Sequence, residues 1–134
     1  MKYSVSDIKS ILNASEFGEF AENVVITDIV YDTRKITLHA ESMFVALKGQ
    51  LRDGHDFVQL AYEKGIRVFL VENEYRIPVE YLTDAIFLKV PNPIQGLQTL
   101  AANHRKQFYI PIVGITGSNG KTTVKEMIAS IFKA

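Results

Sequence analysis

Apolar positions along this chain recur with two different periods, and segments of the two kinds alternate. Side chains spaced three or four residues apart predict four helices, one capped by Ser4 or Ser6 and running through Leu12, and others at residues 56–64, 94–107 and 121–132. Runs rich in β-branched and aromatic residues predict five strands, at residues 24–31, 43–47, 68–71, 86–90 and 110–115. Strands that alternate with helices are typical of an α/β layer structure.

A domain boundary is predicted at about residue 110, just before Pro111. Residues 1–110 would form a first domain, and residues 111–134 would begin a second one. The last predicted helix carries an apolar stripe, formed by Val124, Met127, Ile128, Ile131 and Phe132. Such a stripe needs a cover. We expect it to pack on the first domain or on another copy of the chain, and the second arrangement would make the chain self-associate.

Composition narrows the class of protein without identifying a function. The 134 residues are 47% hydrophobic and 22% charged, which is typical of a soluble globular domain. The formal net charge is zero, so nothing favours nucleic acid or an anionic membrane as a partner. The absence of cysteine excludes disulfides and thiolate metal sites and fits a cytoplasmic protein. No apolar run approaches the ~18 residues of a membrane-spanning helix, so membrane insertion is not expected.

Residues 114–123 read Gly-Ile-Thr-Gly-Ser-Asn-Gly-Lys-Thr-Thr, between a predicted strand and a predicted helix. Strand, glycine loop and helix in this order predict a phosphate-binding loop. Gly117 and Gly120 allow backbone N–H groups to turn toward a phosphate, and the helix start adds further N–H groups. Lys121 would reach the β- and γ-phosphates of ATP, and the Thr122 hydroxyl would ligate Mg²⁺. The ATP-binding residues would be Gly117, Ser118, Asn119, Gly120, Lys121, Thr122 and Thr123.

The loop departs from the general pattern G-x-x-x-x-G-K-[ST], because Ile115 stands where the first glycine is expected. The alternative is a glycine-rich turn that binds no ligand. Lys121 and Thr122 at the helix start favour the phosphate loop.

Four segments of this chain, in register, resemble the Mur ligase family. Residues 114–123 are similar to its ATP loop, G-x-T-G-[ST]-x-G-K-T-T, in which Ile115 is normal. Residues 31–34, Tyr-Asp-Thr-Arg, are similar to its D-[ST]-R turn. Residues 43–49 and 53–57 resemble its strand, loop and Asp-Gly-His helix start, and residues 61–72 resemble its next helix and strand.

The resemblance implies a fold and a reaction. The fold would be the family's N-terminal substrate domain, a small mixed sheet with flanking helices, followed by the first strand, phosphate loop and helix of the central ATPase domain. The reaction would be amide-bond formation on a UDP-N-acetylmuramoyl peptide in peptidoglycan precursor synthesis, with ATP and Mg²⁺. Because the resemblance covers only these parts, the chain alone is expected to lack ligase and ATPase activity.

The amine that the parent enzyme would add is also implied by resemblance. Residues 124–126, Val-Lys-Glu, and the segment around His104, Arg105 and Phe108 are most similar to the branch that adds D-alanyl-D-alanine. The branch that adds the third amino acid is the first alternative. A relative of folylpolyglutamate synthetase and a non-enzymatic binding module with a vestigial loop are the others.

By the same resemblance, six residues are candidates for binding the UDP-muramoyl substrate: Asp32, Thr33, Arg34, Gly49, Gln50 and Arg52. Thr33 matches the hydroxyl of the D-[ST]-R turn, Gln50 could bond the uracil edge, and Arg52 could pair with phosphate. The alternatives are a turn bonded by its own side chains and a solvated charged loop. His55 has no partners at metal-ligand spacing, so helix capping by Asp53 or Asp56 is the favoured interpretation there. His39 and His104 are expected at the surface.

Overall fold

The computed structural model describes residues 2–20, 24–36 and 41–132. His39 lies outside these residues. The strands are β1 (Tyr3–Ser4), β2 (Ser15–Phe17), β3 (Val25–Ile26), β4 (Asp28–Val30), β5 (Ser42–Val45), β6 (Val68–Glu72) and β7 (Ile86–Val90). The α-helices are α1 (Val5–Leu12), α2 (Val58–Glu63), α3 (Pro93–Lys106) and α4 (Lys121–Ile131). Single 3₁₀ turns lie at Thr33–Lys35, Gly54–Phe57 and Val79–Tyr81.

Five strands form one mixed sheet in the order β2-β7-β6-β5-β4. The four strands β4 to β7 are parallel, and β2 joins β7 antiparallel, with Glu16 opposite Leu88. A separate pair is formed by β1 and β3. The predicted α/β class, with a small mixed sheet and flanking helices, is therefore confirmed. Because β4 to β7 run in one direction, their carboxyl ends meet at one edge of the sheet.

Both faces of the parallel strands are buried, which explains why their sequences are continuously apolar rather than alternating. One face packs on α1 and α3 through Ile8 and Leu100. The other packs on α2, where Phe69 stacks on Phe87 with ring centroids 4.7 Å apart. Burial on two sides holds the sheet firmly and so fixes the positions of the loops at its carboxyl edge.

Local signals set the helix ends. Ser4, rather than Ser6, caps α1: its Oγ accepts a hydrogen bond from the Asp7 N–H (3.0 Å), and Asp7 Oδ2 accepts one from the Ser4 N–H (3.0 Å). Asn92 Oδ1 caps α3 by accepting from the Ile94 and Gln95 N–H groups, and Pro93 follows at the first position of the helix. At the other end of α3, Tyr3 Oη accepts a hydrogen bond from Gln107 Nε2 (2.7 Å).

The predicted strand at residues 110–115 is wrong. These residues form no regular secondary structure, and Ile112 and Val113 are 64% and 59% exposed. Their β-branched side chains favour a strand locally, but a strand also needs a neighbouring strand for its N–H and C=O groups, and no described strand pairs with these residues. The stripe on α4 is likewise uncovered by the first domain, since Met127 is 62% exposed and Phe132 78% exposed. None of the described helices is long and apolar enough to cross a membrane.

Candidate functional site

The carboxyl edge of the parallel strands brings the predicted substrate residues together. The turn with Asp32, Thr33 and Arg34 follows β4, and the loop at residues 48–53 follows β5, its immediate neighbour. The next strand, β6, ends at Glu72 beside the same edge. In open α/β sheets, ligands bind outside the carboxyl ends of the strands. This edge is therefore the candidate site of the first domain.

Asp32 organises the turn after β4. Its Oδ1 accepts from the Arg34 N–H at 3.0 Å, and its two oxygens accept from the Arg34 guanidinium. The hydrogen bonds from the Arg34 side chain and backbone hold the pKa of the Asp32 carboxyl well below its usual value. The same pair raises the pKa of Arg34. Thr33 is buried, and its carbonyl accepts from Lys64 Nζ at 2.8 Å.

The loop after β5 is narrow at its base and open at its tip. Lys48 and Asp53 form an isolated antiparallel β-bridge, and the Gly49 N–H donates to the Arg52 carbonyl at 2.9 Å. The side chains of Gln50 and Arg52 are exposed, and Leu51 between them is 97% exposed. At the base, the Gly54 N–H donates to the Leu47 carbonyl at 2.9 Å. The tip therefore offers an amide and a guanidinium to solvent, and it follows the strand that pairs with β4.

His55 also lies at this edge. The sequence prediction considered it only as a metal ligand or as part of a capped helix start. His55 Nδ1 lies 2.6 Å from Asp53 Oδ1, and His55 Nε2 accepts from the Glu72 N–H at 3.0 Å. Asp53 caps the 3₁₀ turn through the His55 N–H, as predicted. Burial raises the pKa of Asp53, but the hydrogen bonds from the His55 backbone and ring outweigh it and lower that pKa overall. Among the described residues, no cluster of three His, Cys, Asp or Glu side chains could hold a metal.

His104 also differs from its prediction as a plain surface residue. Its Nδ1 lies 3.3 Å from Tyr3 Oη, and its ring meets that of Phe108 edge-on at 5.1 Å. Arg105 binds the following segment, donating to the carbonyls of Phe108 (2.6 Å) and Ile110 (3.0 Å). A cavity of about 430 Å³ opens beside these residues. The charge of Arg105 is directed to the chain itself, so this cavity lacks the free polar groups of a ligand site.

The glycine loop of residues 114–120 precedes α4 on the segment beyond Pro111. Gly117 and Gly120 have φ angles of +146° and +76°, which disfavour any residue with a Cβ. Gly120 provides no side-chain cap, so the first N–H groups of α4 remain available to an anion. Lys121 Nζ turns back over the loop and donates to the carbonyls of Gly117 and Ser118. Free N–H groups at a helix start, next to a lysine, are of the kind that can bind an anion.

Two family models and several known proteins match this chain. The model of the Mur ligase family, catalytic domain, matches residues 25–105, and the model of the Mur ligase middle domain matches residues 115–134. The UDP-N-acetylmuramoyl-tripeptide–D-alanyl-D-alanine ligase of Bacillus subtilis is 34% identical over 98% of this chain. The UDP-N-acetylmuramoyl-L-alanyl-D-glutamate–2,6-diaminopimelate ligase of Clostridium tetani is 33% identical over 94% of it. The chain spans 28% and 26% of these two relatives.

Solved structures give the same result. A D-alanyl-D-alanyl ligase from Acinetobacter baumannii superposes with a TM-score of 0.82 at 28% identity, over 99% of this chain and 28% of that one. The MurF ligase from Thermotoga maritima in complex with ADP has a TM-score of 0.62 at 29% identity, over 79% of this chain and 23% of that one. From the family models, the identities and the shared fold, we conclude that this chain belongs to the Mur ligase family.

Proposed function

We propose that this chain is the substrate-binding N-terminal part of an ATP-dependent ligase that adds D-alanyl-D-alanine to a UDP-N-acetylmuramoyl tripeptide in peptidoglycan precursor synthesis. Residues 1–110 would be the substrate domain, and residues 111–134 would begin the ATP-binding domain. One geometric observation carries the substrate role: Arg34 and the loop of Gln50 and Arg52 lie at the carboxyl ends of two adjacent strands. The names of the D-alanyl-D-alanine ligases among the relatives, of whose length this chain covers 28%, support the choice of reaction. We propose that the protein acts in the cytoplasm.

The residues of this edge suit a nucleoside diphosphate. The guanidinium groups of Arg34 and Arg52 would each form charge-assisted hydrogen bonds with the diphosphate. Gln50 carries both a donor and an acceptor, as a uracil edge requires. Gly49 keeps the tip of the loop small, and Asp32 would orient Arg34. Thr33 is only 6% exposed, so its hydroxyl would reach the ligand only after the turn uncovers it. These assignments follow the resemblance residue by residue and are supported by the exposure of both cations.

The glycine loop is proposed to hold the triphosphate of ATP. Gly117, Ser118, Asn119 and Gly120 would surround the phosphates with N–H groups, and Lys121, Thr122 and Thr123 would complete the cradle at the start of α4. When bound, ATP would supply the phosphoryl group that activates a carboxylate, and Mg²⁺ on the Thr122 hydroxyl would neutralise charge. Lys121 would exchange its bonds to backbone carbonyls for bonds to phosphate.

The ligase that adds the third amino acid is the second candidate. Relatives with that activity in their names are 32–33% identical to this chain, close to the 34–36% of the D-alanyl-D-alanine ligases. Both candidates share the UDP-muramoyl handle and ATP, so the proposed substrate domain serves either reaction. To separate the two candidates, the turnover rate of the full-length parent is measured with D-alanyl-D-alanine and, in a second assay, with a diamino acid.

The experiment for the substrate role is calorimetric titration of the chain with a UDP-N-acetylmuramoyl tripeptide. We expect binding that weakens by about tenfold or more in Arg34→Ala and in Arg52→Ala, because each loses a charge-assisted hydrogen bond. Lys106→Ala, which removes an exposed cation from the end of α3, is the matched control. Absence of heat at millimolar ligand, or alanine variants that bind like the unsubstituted chain, would reject the proposal.

A further inference from the structure

We infer that His55 is a positioning residue for the UDP-muramoyl site: it fixes the loop at residues 48–53 to strand β6 and so presents Gln50 and Arg52 to the nucleotide. The inference rests on the proposed function for the identity of the ligand. The geometry of the His55 ring is independent of the identity of the ligand.

The ring of His55 joins two elements that are distant in the sequence. On one side, Nδ1 lies 2.6 Å from Asp53 Oδ1, at the foot of the loop. On the other, Nε2 lies 3.0 Å from the backbone nitrogen of Glu72, the last residue of β6. A backbone N–H can only donate, so Nε2 must be the acceptor and the proton must lie on Nδ1, where it is donated to Asp53. Both ring nitrogens are therefore used, and one tautomer is specified.

The ring is also held in place. The His55 side chain is only 10% exposed, and the Tyr75 ring lies beside it with centroids 5.2 Å apart. Two acidic residues and one cation lie near the His55 ring. The Asp53 carboxylate is bonded to the ring, Glu72 contacts the ring through its backbone N–H, and Lys48 lies opposite Asp53 at the base of the loop. The imidazole thus acts as a rigid spacer rather than as a solvated side chain.

The two hydrogen bonds of the His55 ring help to fix the position of the loop, because the base of the loop is attached to the rest of the domain at two places. Gly54 attaches it to the end of β5, through the hydrogen bond to the Leu47 carbonyl. His55 attaches it, through Asp53, to the end of β6. The tip, with the Gly49 N–H bonded to the Arg52 carbonyl, has bonds only within itself among the described contacts. Loss of the β6 attachment would let the tip change its position relative to the sheet edge without exposing the core.

Two substitutions separate the two hydrogen bonds of the His55 ring. Asparagine places its amide near the position of Nδ1, and glutamine places its amide near that of Nε2. His55→Asn can still donate to Asp53 but does not reach Glu72. His55→Gln can still accept from the Glu72 N–H. We expect His55→Asn to weaken binding of a UDP-N-acetylmuramoyl tripeptide by about tenfold and His55→Gln to restore most of it. His104→Asn, which changes a histidine bonded to Tyr3 on the far side of the first domain, is the matched control and should bind normally.

The spectroscopic test uses the unsubstituted chain, so it does not depend on any variant folding. Long-range ¹H–¹⁵N correlation of the imidazole should report a protonated Nδ1 and an unprotonated Nε2 for His55. In His55→Asn, the amide signals of Glu72, Gln50 and Arg52 should shift together. Protonation on Nε2 would overturn the inference, and so would unchanged ligand affinity in His55→Asn. If the unsubstituted chain bound no UDP-muramoyl ligand, the proposed function would fail, while the tautomer and the coupled shifts would still decide whether His55 positions the loop.

Discussion

Arg34 and Asp32 form a bidentate ion pair across one turn, with Arg34 Nη2 2.7 Å from Asp32 Oδ2 and Arg34 Nε 2.9 Å from Asp32 Oδ1. The carboxylate is mostly covered, with 19% of its side chain exposed, while the Arg34 side chain is 85% exposed. Asp32 therefore orients a cation that remains accessible to an anionic ligand. The pair contributes more to the geometry of the site than to stability, because exposed ion pairs contribute little to folding.

The pair predicts how Asp32 titrates. Hydrogen bonds from Arg34 lower its pKa below the ordinary 3.8, so this carboxylate favours the folded state above pH 3.8 and loses that effect as the pH falls through its folded pKa. Arg34→Ala should return the Asp32 pKa toward 3.8, whereas Lys106→Ala should not change it. Carboxyl ¹³C titration measures both. An Asp32 midpoint at 3.8 in the unsubstituted chain would contradict the observed pairing.

Gly54 predicts a large loss of stability on a small substitution. A Cβ at this position would lie 2.5 Å from the Leu47 nitrogen and 2.7 Å from the Leu47 oxygen, both backbone atoms that cannot move aside. We expect Gly54→Ala to lower the free energy of unfolding by about 1–3 kcal/mol, the usual range for overpacking. Gly114→Ala is the control, since nothing lies within 4 Å of a Cβ there. Equal denaturation midpoints for the two variants would show that the Gly54 contact is looser than observed.

The phosphate loop predicts weak nucleotide binding without turnover. The segment at residues 110–115 forms no strand here, so the loop lacks a supporting sheet among the described residues, and a loosely held site binds poorly. We expect Mg-ATP to bind weakly to this chain and more weakly still to Lys121→Ala, with Lys106→Ala unchanged. A phosphate-release assay should detect no sustained hydrolysis. Hydrolysis that Lys121→Ala abolishes would show that the chain is active by itself.

The apolar face of α4 predicts self-association of this chain. Met127, Ile131 and Phe132 are 62%, 72% and 78% exposed along one side of the helix. A charge on that side, in Met127→Glu, should shift sedimentation equilibrium toward monomer. The same charge at the exposed Ala129, about half a turn away, should have a smaller effect because it avoids the stripe. A chain that is monomeric at high concentration without substitution would reject this prediction.

Some local sequence signals were sufficient to predict an element of the fold, and others were not. The cap at Ser4 and the apolar runs of β5 to β7 act within a few residues, so their pattern alone predicted α1 and these strands. The strand at residues 110–115 was predicted from the same kind of local signal and was wrong, since strand formation also requires a partner. The short β2 was missed because its antiparallel place beside β7 depends on contacts about seventy residues away.

The sequence by itself determined the α/β order, the glycine loop before α4 and the set of residues that resemble those of the family. Those are properties of side chains near one another in the chain. Only the tertiary structure decided that Arg34 and the loop of Gln50 and Arg52 share one edge, and that His55 connects that loop to Glu72 seventeen residues later. The physical reason is that parallel strands bring their carboxyl ends together only when the whole sheet forms, so a bond from a ring nitrogen to a neighbouring strand has no signature in local spacing.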